Sequence, residues 1–523
     1  MKNLNFLFDM LNQEQQQAKE LIQEFIENGQ GFFGLLGSGG TGKTYVMTTF
    51  EDAEDYQYLA PTNKAVNVLR SGLKNNGIII PNVKTIDSFF SLRMKKDEKN
   101  ETVYTYKQPN FEKGKPKVIV VDECSMLTVK HVELLTKLVP KIPIVLIGDE
   151  MQLPPVEPES FIDVDGFKKS IAFNSIDQSF KLTKQNRQST ESDLFKLING
   201  FRSNMEKRMD AKRIAEVKNN GKDIFYFKQN SPEFDAFIKE NKSVSITFKN
   251  NTSDYFNYKI GSVISNNKKY NIKEINKGDE VVFNSFYFKE DVTFYTSEKI
   301  KIIDVFKENV TIEIPEIKVK VEGQQLKAIA KNEIGIDKVI WLKNSELRDL
   351  VWKRIYYHKN KTTDKVLLSK LNTFYNDFKN GFADLKKPYS MTSHKSQGST
   401  FENIIVPVYD FYKKEHKDAN QLFYVAISRA SKKIVFVDGI CNFNKSTKRV
   451  LFTEEERYLI ASSQNWNCNI CESELTDAKF EIDHIYRLGY VDEKGKVKGN
   501  NDLSNLQAIC KSCHKEKTKI DKQ

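Results

Sequence analysis

Long apolar runs are missing from this sequence. Nowhere do its 523 residues approach the roughly 18–20 consecutive apolar positions that a membrane-spanning helix needs. The opening MKNLNFLFDML is broken by Asp9 and has no small-residue cleavage site, so no secretory leader is expected there. Cysteine is scarce: of six, Cys124 and Cys441 stand alone and the other four form two C-x-x-C pairs. That spacing does not suit a disulfide framework and points to a reducing compartment and a metal site. A cytoplasmic protein with no membrane partner is expected. Histidine is as rare, with six in the chain, so the place of each is informative. No internal repeat recurs at a fixed period.

Length and charge are what the chain does have. It has room for three or four domains, each with its own core. Lysine and arginine number 81 against 70 acidic residues, a net +11 with a sequence pI near 8.9, which suggests an anionic partner. From Gln464 to Gln523 the signs balance at ten each, so the positive excess lies upstream.

The stretch Gly37–Thr44, GSGGTGKT, organises the rest. It follows the apolar run Phe32–Leu36, which reads as a buried strand, and precedes TYVMTTF, which reads as a helix start. In that setting G-x-x-x-x-G-K-T is a phosphate-binding loop. Gly37, Gly39, Gly40, Thr41 and Gly42 let the backbone wrap a polyphosphate, with amides at the helix start facing the anion. Lys43 reaches the β- and γ-phosphates, and the Thr44 hydroxyl holds Mg²⁺. The chain is expected to bind a nucleoside triphosphate.

Two further apolar runs end in polar signals: Val118–Val121 before Asp122–Glu123, and Ile142–Ile147 before GDEMQLPPV. A phosphate-loop hydrolase needs such an acid pair, Asp122 to hold Mg²⁺ and Glu123 to deprotonate the attacking water. Gln152 is placed to sense the γ-phosphate, and Arg187 and Arg429 are candidates to stabilise the transferring phosphoryl group. Strands alternating with helices predict a doubly wound parallel sheet. LNQEQQQAKELIQEFI reads as a helix with Asn12 as its N-cap, and Thr453 with Glu456 as a capping box. Residues 93–117 read as a hairpin-bearing insertion. From 279 to 345, short alternating segments predict a small β-barrel.

As a set, these motifs resemble superfamily 1 DNA helicases of the RecD/Dda branch, and most closely the Dda-like helicases, from about Leu11 to Val437. LNQEQQQA matches the adenine-reading motif, with Gln15 as its glutamine. GSGGTGKT, APTNKAVNVL, TIDSFF, VIVVDECSM, GDEMQLPPV, LTKQNRQ, YSMTSHKSQGSTF and QLFYVAISRA follow in the family's order. The resemblance implies two RecA-like P-loop domains that bind ATP and Mg²⁺ in their cleft, with an inserted SH3-like β-barrel. It implies a duplex-splitting wedge at 93–117 and 5′–3′ translocation on single-stranded and forked DNA. A single-stranded DNA-binding protein or replication and recombination proteins are the implied protein partners. Thr62, Asn63 and Lys64, then His394, Lys395, Ser396 and Gln397, supply short donors and cations suited to gripping a DNA backbone without reading bases. Asp87 stands where the family usually has histidine, so it is not counted as a DNA contact. Cys124 reads as core packing.

The last module has C-x-x-C at Cys468–Cys471 and again at Cys510–Cys513, a spacing that makes a structural Cys₄ zinc site plausible. With Asp483–His484, Asn505 and Cys513–His514, the stretch from about Trp466 to Lys519 resembles the HNH (ββα-metal) endonucleases. That resemblance implies His484 as general base, Asp483 and His514 as ligands of Mg²⁺ or Mn²⁺, and Asn505 as the residue orienting the base. Lys515 and Lys517 are expected on neighbouring phosphates.

The expected architecture is α/β. RecA-like domain 1A covers 1–188, and domain 2A covers 189–258 with 389–440. Inserted domain 2B covers 259–388 with its barrel at 279–345. A linker and helix at 441–465 precede a small zinc-stabilised HNH domain at 466–523. The expected activity is an ATP-dependent helicase coupled to a nicking nuclease. A helicase whose zinc module only binds DNA, and an ATP-driven DNA switch that does not unwind, are the alternatives.

Overall fold

The computed structural model describes residues 11–78, 82–96, 102–109, 111, 114–138, 140–164, 167–184, 192–205, 214, 216, 218–332, 335–343, 345–411, 419–476, 480–492 and 495–520. The chain divides into two compact units, 1–253 with 391–440 and 254–390 with 441–523.

Among the described residues, the first unit holds two large sheets and two two-stranded hairpins. Strands β1 (Phe32–Gly37), β2 (Gln57–Ala60), β3 (Val83–Thr85), β4 (Ile119–Val121), β5 (Ile144–Gly148) and β6 (Gln178–Leu182) lie in the order β6-β1-β5-β4-β2-β3. Every pair is parallel. β1, β4 and β5 are buried along their whole length, which is why they read as unbroken apolar runs instead of alternating ones. Helix α1 (Gln13–Asn28) opens with a capping box between Asn12 and Gln15 and ends at Gly29 in the left-handed conformation, as its sequence signals predict. It packs Ala18, Ile22, Phe25 and Ile26 into the core beneath β1. Cys124 is fully buried in the core on the other face.

The second sheet contains β7 (Ile224–Lys228), β8 (Ser243–Thr247), β9 (Ser390–Thr392), β10 (Phe401–Pro407) and β11 (Ala430–Asp438), in the order β7-β11-β10-β8-β9. β11 is parallel to β7 and β10, and β10 to β8. Two parallel sheets in one unit bear out the α/β reading. The insertion after β3 carries an antiparallel hairpin, Arg93–Lys96 with Thr102–Thr105.

The second unit departs from the expected run of short strands. Lys299–Ile314 and Val319–Asn332 are two long antiparallel strands, not a series of short ones. They form a five-stranded sheet with Glu280–Phe283, Asp337–Trp341 and Leu385–Lys386. One end of this hairpin packs on the core around Phe283, Tyr287 and Phe294. The other end packs with Leu347, Val351, Ile355 and Leu371 of helices Glu346–Lys361 and Lys365–Asn380. The sequence reading missed this helical pair because exposed Trp352, Tyr356 and Tyr357 blur the apolar stripe of the first helix.

The same unit contains α6 (Glu454–Ser462), antiparallel strands β12 (Phe480–His484) and β13 (Leu506–Cys510), and α7 (Lys511–Ile520). α6 starts in the predicted Thr453–Glu456 capping box. It belongs to the terminal module and is no loose tether. Arg457 donates to the Phe480 carbonyl at 2.6 Å, and Gln464 makes a two-way amide pair with Ala508 at 2.8 and 2.9 Å. Lys259 pairs with Glu455 at 2.7 Å and Asn271 with Asn465 at 2.8 Å, which docks the module on the helix and turn that follow residue 254.

Gly148 ends β5 because there is no room for a side chain: a Cβ there would lie 2.5 Å from Cys124 Sγ. Gly148→Ala is expected to cost about 1–3 kcal/mol by overpacking. Adding Cys124→Ala should recover most of that loss in urea unfolding, a non-additivity that separate sites would not show.

Candidate functional site

The phosphate loop leaves the C-terminal end of β1 and runs into α2 (Lys43–Thr48). Gly37, Gly40 and Gly42 all take positive φ, and a Cβ on Gly37 would lie 2.5 Å from the Leu182 carbonyl of β6. This is backbone that other residues rarely adopt. Lys43 folds back over the loop, donating to the carbonyls of Gly37 and Ser38 at 2.8 and 2.9 Å. Thr41 is fully buried. Its carbonyl accepts the Gln15 amide at 3.0 Å, while Gln15 Oε1 accepts the Asn12 amide. Gln15 thus braces the loop from α1.

β4 delivers the acid pair beneath the loop. Thr44 Oγ1 donates to Asp122 Oδ2 at 3.0 Å, and the Glu123 amide donates to Asp122 Oδ1 at 2.8 Å. Glu123 sits at φ 52°, a conformation rare for a side chain of its size and typical of functional sites. Burial pushes both carboxyls above their ordinary range. The Glu123 amide and Lys43 oppose this at Asp122; Asp122 adds to it at Glu123, where Arg429 and Lys43 oppose. A carboxylate with raised proton affinity is suited to a general base.

The second sheet reaches the same place. A Cβ on Gly398 would lie 3.7 Å from Glu123 Oε1. Arg429 is buried, its guanidinium held by the Val425 carbonyl and Ser428 hydroxyl, each at 3.0 Å. Gln152 is buried, its Oε1 without a hydrogen-bond partner among the described residues. Arg187 lies outside the described residues.

The expected DNA-contacting residues divide. Thr62 caps α3 (Asn63–Asn75) through the Ala65 amide, and Asn63 begins that helix. His394 is exposed, Lys395 is half-buried, and Ser396 and Gln397 are buried. Ser396 donates to the Ser393 carbonyl at 2.8 Å, and Gln397 to that of Leu153 at 3.2 Å. Lys64 turns inward and donates to the Lys395 carbonyl at 2.9 Å. Burial, with help from Arg429, lowers its pKa to about 8. Asp87 pairs with His131 at 2.9 Å.

Sequence reasoning missed a buried bridge. Asp149, just past β5, accepts from Arg202 of α4 (Asp193–Arg202) at 2.8 Å and from Tyr424 of α5 (Ala419–Ile427) at 2.7 Å. Gln421 on α5 donates to the Lys168 carbonyl at 2.7 Å and accepts the Lys168 amide at 3.1 Å. These residues tie the second sheet's helices to the strand ends of the first. The Asp in GDEMQ was visible in the sequence, but its partners were ordinary helix residues.

In the terminal module the Sγ atoms of Cys468, Cys471, Cys510 and Cys513 all lie within 4.8 Å of one another, with Cys471 and Cys510 at 3.8 Å. Four sulfurs about 2.3 Å from one tetrahedral ion are spaced about 3.8 Å apart, so the set fits zinc. The Ser512 hydroxyl, then the Cys513 amide, lowers the Cys510 thiol to about 6; Ser473 lowers Cys471, and the neighbouring thiols raise Cys513, Cys471 most of all.

Two expectations about the terminal module's site residues need correction. Asn505 does not touch the His484 ring. Its amide accepts from the Tyr486 N–H at 2.8 Å and donates to the carbonyls of Tyr486 and Asn500 at 3.0 and 2.8 Å, closing the loop between β12 and β13. Asn501 contacts the ring instead, at 3.0 Å. Lys517 is turned onto the Asp483 carboxylate and the His484 carbonyl, so it is not presented to phosphates. That ammonium occupies the Asp483 carboxylate, one of the two groups expected to hold a metal; the other, His514, lies on α7. Spacing alone could not rank Asn500, Asn501 and Asn505, nor show that Lys517 faces inward from α7.

Removing one partner of the Asp149 bridge leaves a buried charge. Arg202→Ala should destabilise the chain by about 3–5 kcal/mol, and Tyr424→Phe by about 1 kcal/mol. Urea midpoints read both, and equal, small effects would mean that Asp149 is solvated in solution.

Family comparisons agree with this geometry. Residues 10–219 match an AAA domain, 388–437 a UvrD-like helicase C-terminal domain and 468–519 an HNH endonuclease. An uncharacterized protein of Acanthamoeba polyphaga mimivirus is 27% identical, over 82% of this chain and 100% of the relative. The RecD subunit of the RecBCD enzyme from Buchnera aphidicola is 23% identical, over 80% of this chain and 72% of that protein. Pif1 helicase from Bacteroides, solved with ADP-AlF3 and ssDNA, aligns with a TM-score of 0.44 at 15% identity, covering 86% of this chain and 94% of that one. The ordered motifs, the AAA and UvrD-like helicase C-terminal matches and the HNH match that follows them together make this chain a superfamily 1 DNA helicase similar to RecD, with an HNH endonuclease domain downstream of its motor.

Proposed function

We propose that the chain couples ATP-driven 5′–3′ translocation on single-stranded DNA to metal-dependent nicking. The observation that carries the motor half is the Thr44–Asp122 hydrogen bond at 3.0 Å with Glu123 beneath Gly398. It supports a hydrolytic site shared by two RecA-like domains, 1A over 1–188 and 2A over 189–258 with 389–440. Lys43 neutralises phosphate charge, Arg187 and Arg429 stabilise the transferring phosphoryl group, Gln152 senses the γ-phosphate, and Glu123 takes the proton of the attacking water. Thr44 and Asp122 would hold Mg²⁺, which would supply Lewis acidity. Thr62, Asn63 and His394 to Gln397 track the DNA backbone, with Lys64 joining them only if it swings outward. The hairpin within 93–117 is the duplex wedge, and the antiparallel sheet of 279–345 acts as an SH3-like barrel within 2B. Forked DNA is the proposed substrate, and single-stranded DNA-binding or recombination proteins the proposed partners.

In the terminal module a Cys₄ zinc ion would hold the fold. Asp483 and His514 would hold Mg²⁺ or Mn²⁺, which stabilises charge on the scissile phosphate. His484 takes a proton from water as neutral imidazole. One such site cuts one strand, so nicking is the expected product. The engagement of Asp483 by Lys517 favours a second reading, an HNH fold that grips DNA without cutting it.

A supercoiled-plasmid assay with Mg²⁺ or Mn²⁺, with and without ATP, separates them. Lys43→Ala should lower DNA-stimulated ATP hydrolysis by roughly 10²–10³-fold, and His484→Ala should abolish nicking. Nicking that persists in His484→Ala, or is absent from the parent chain with every metal, sinks the nuclease assignment. Zinc content should vanish in Cys468→Ser and melt the module; a zinc-free parent would reject the structural metal.

A further inference from the structure

The chain leaves β11 at Asp438 and reaches α6 through residues 442–453, a bridge that is short and not Gly/Ser-rich. Its hydrogen bonds give it another task. Asn442 is held by the fully buried Glu456 carboxylate through its amide and side chain, at 2.6 and 2.9 Å. Asn444 shapes the next turn, accepting the Ser446 amide at 2.8 Å, and its own N–H donates to the Asn501 carbonyl at 3.0 Å. The Asn501 N–H donates back to the Ser446 carbonyl at 3.1 Å.

The Asn501 side chain is fully buried. Its Nδ2 donates to the carbonyls of Ser446 at 2.9 Å and Lys448 at 2.7 Å. Carbonyl oxygens only accept, so both amide hydrogens are used on the bridge and the amide cannot be flipped. Oδ1 therefore faces His484 Nε2 at 3.0 Å. An amide oxygen also only accepts, so a neutral His484 must carry its proton on Nε2 and leave the lone pair on Nδ1.

We propose that Asn501 is the positioning residue for His484, and that the bridge carbonyls of Ser446 and Lys448 set the tautomer that leaves Nδ1 free to accept a proton. The inference deepens, and rests on, the reading of His484 as general base. It gives the bridge between motor and nuclease a hold, through Asn501 and Nε2, on the ring that carries the nuclease's reactive nitrogen. Displacing residues 444–448 would release the Asn501 amide and let the ring turn.

The test uses the full-length chain with ¹⁵N-labelled histidine. Long-range ¹H–¹⁵N correlation is recorded at about pH 8.5, where an ordinary imidazole is neutral, with His484 assigned by its loss in His484→Gln. The parent chain should show the Nε2–H form alone. Asn501→Ala should show a tautomer mixture and lose roughly 10–100-fold in nicking, as loss of an orienting partner does elsewhere. Should Asn501→Ala fail to fold, Asn444→Ala loosens the turn with Asn501 in place and should shift the tautomer in the same direction. An Nδ1–H parent, or a tautomer indifferent to both variants, overturns the proposal. A parent that shows the Nε2–H form under Asn501 control yet never nicks would overturn the general-base reading and leave the positioning intact.

Discussion

Two adjacent carboxylates buried at the end of one strand set the terms for the motor. Asp122 and Glu123 sit where burial and mutual repulsion both disfavour charge, a cost only nearby cations and fixed donors can offset. Lys43, the Thr44 hydroxyl and the Glu123 amide come from the first sheet, Arg429 from the second. Neither sheet completes the set alone. A phosphate-bearing ligand with its metal is the natural guest of such a site, and the sheets must approach for the cations to act.

The Asp149 bridge follows the same logic one strand over. A carboxylate with no solvent exposure of its side chain is tolerable only because a guanidinium and a phenol reach it from α4 and α5. Whatever moves the second sheet's helices must strain or carry these bonds. The strand ends that hold the nucleotide chemistry are therefore also the ends that hold the helices.

In the terminal module the organising groups are neutral amides. Asn501 and Asn505 are buried within five residues of each other, and each uses both amide hydrogens and accepts one hydrogen bond, one on the bridge and the ring, the other on closing its own loop. Glu456 and Asn442 secure the other end. A polar network this fully satisfied favours one arrangement of the ring.

The sequence by itself determined the parallel sheets, the phosphate loop, the acid pair, the capped helices α1 and α6 and the four-cysteine set. Each of these depends on local backbone chemistry or on ligand spacing within a few residues. The long hairpin with its helical pair was illegible because exposed aromatics broke the apolar periodicity. The partners of Asp149, the inward turn of Lys64, the pairing of Lys517 with Asp483 and the choice of Asn501 over Asn505 were decided only by the tertiary structure. Side chains such as these are polar, abundant and chemically alike, and what distinguishes them is which carbonyl or carboxylate distant chain segments bring within hydrogen-bonding reach.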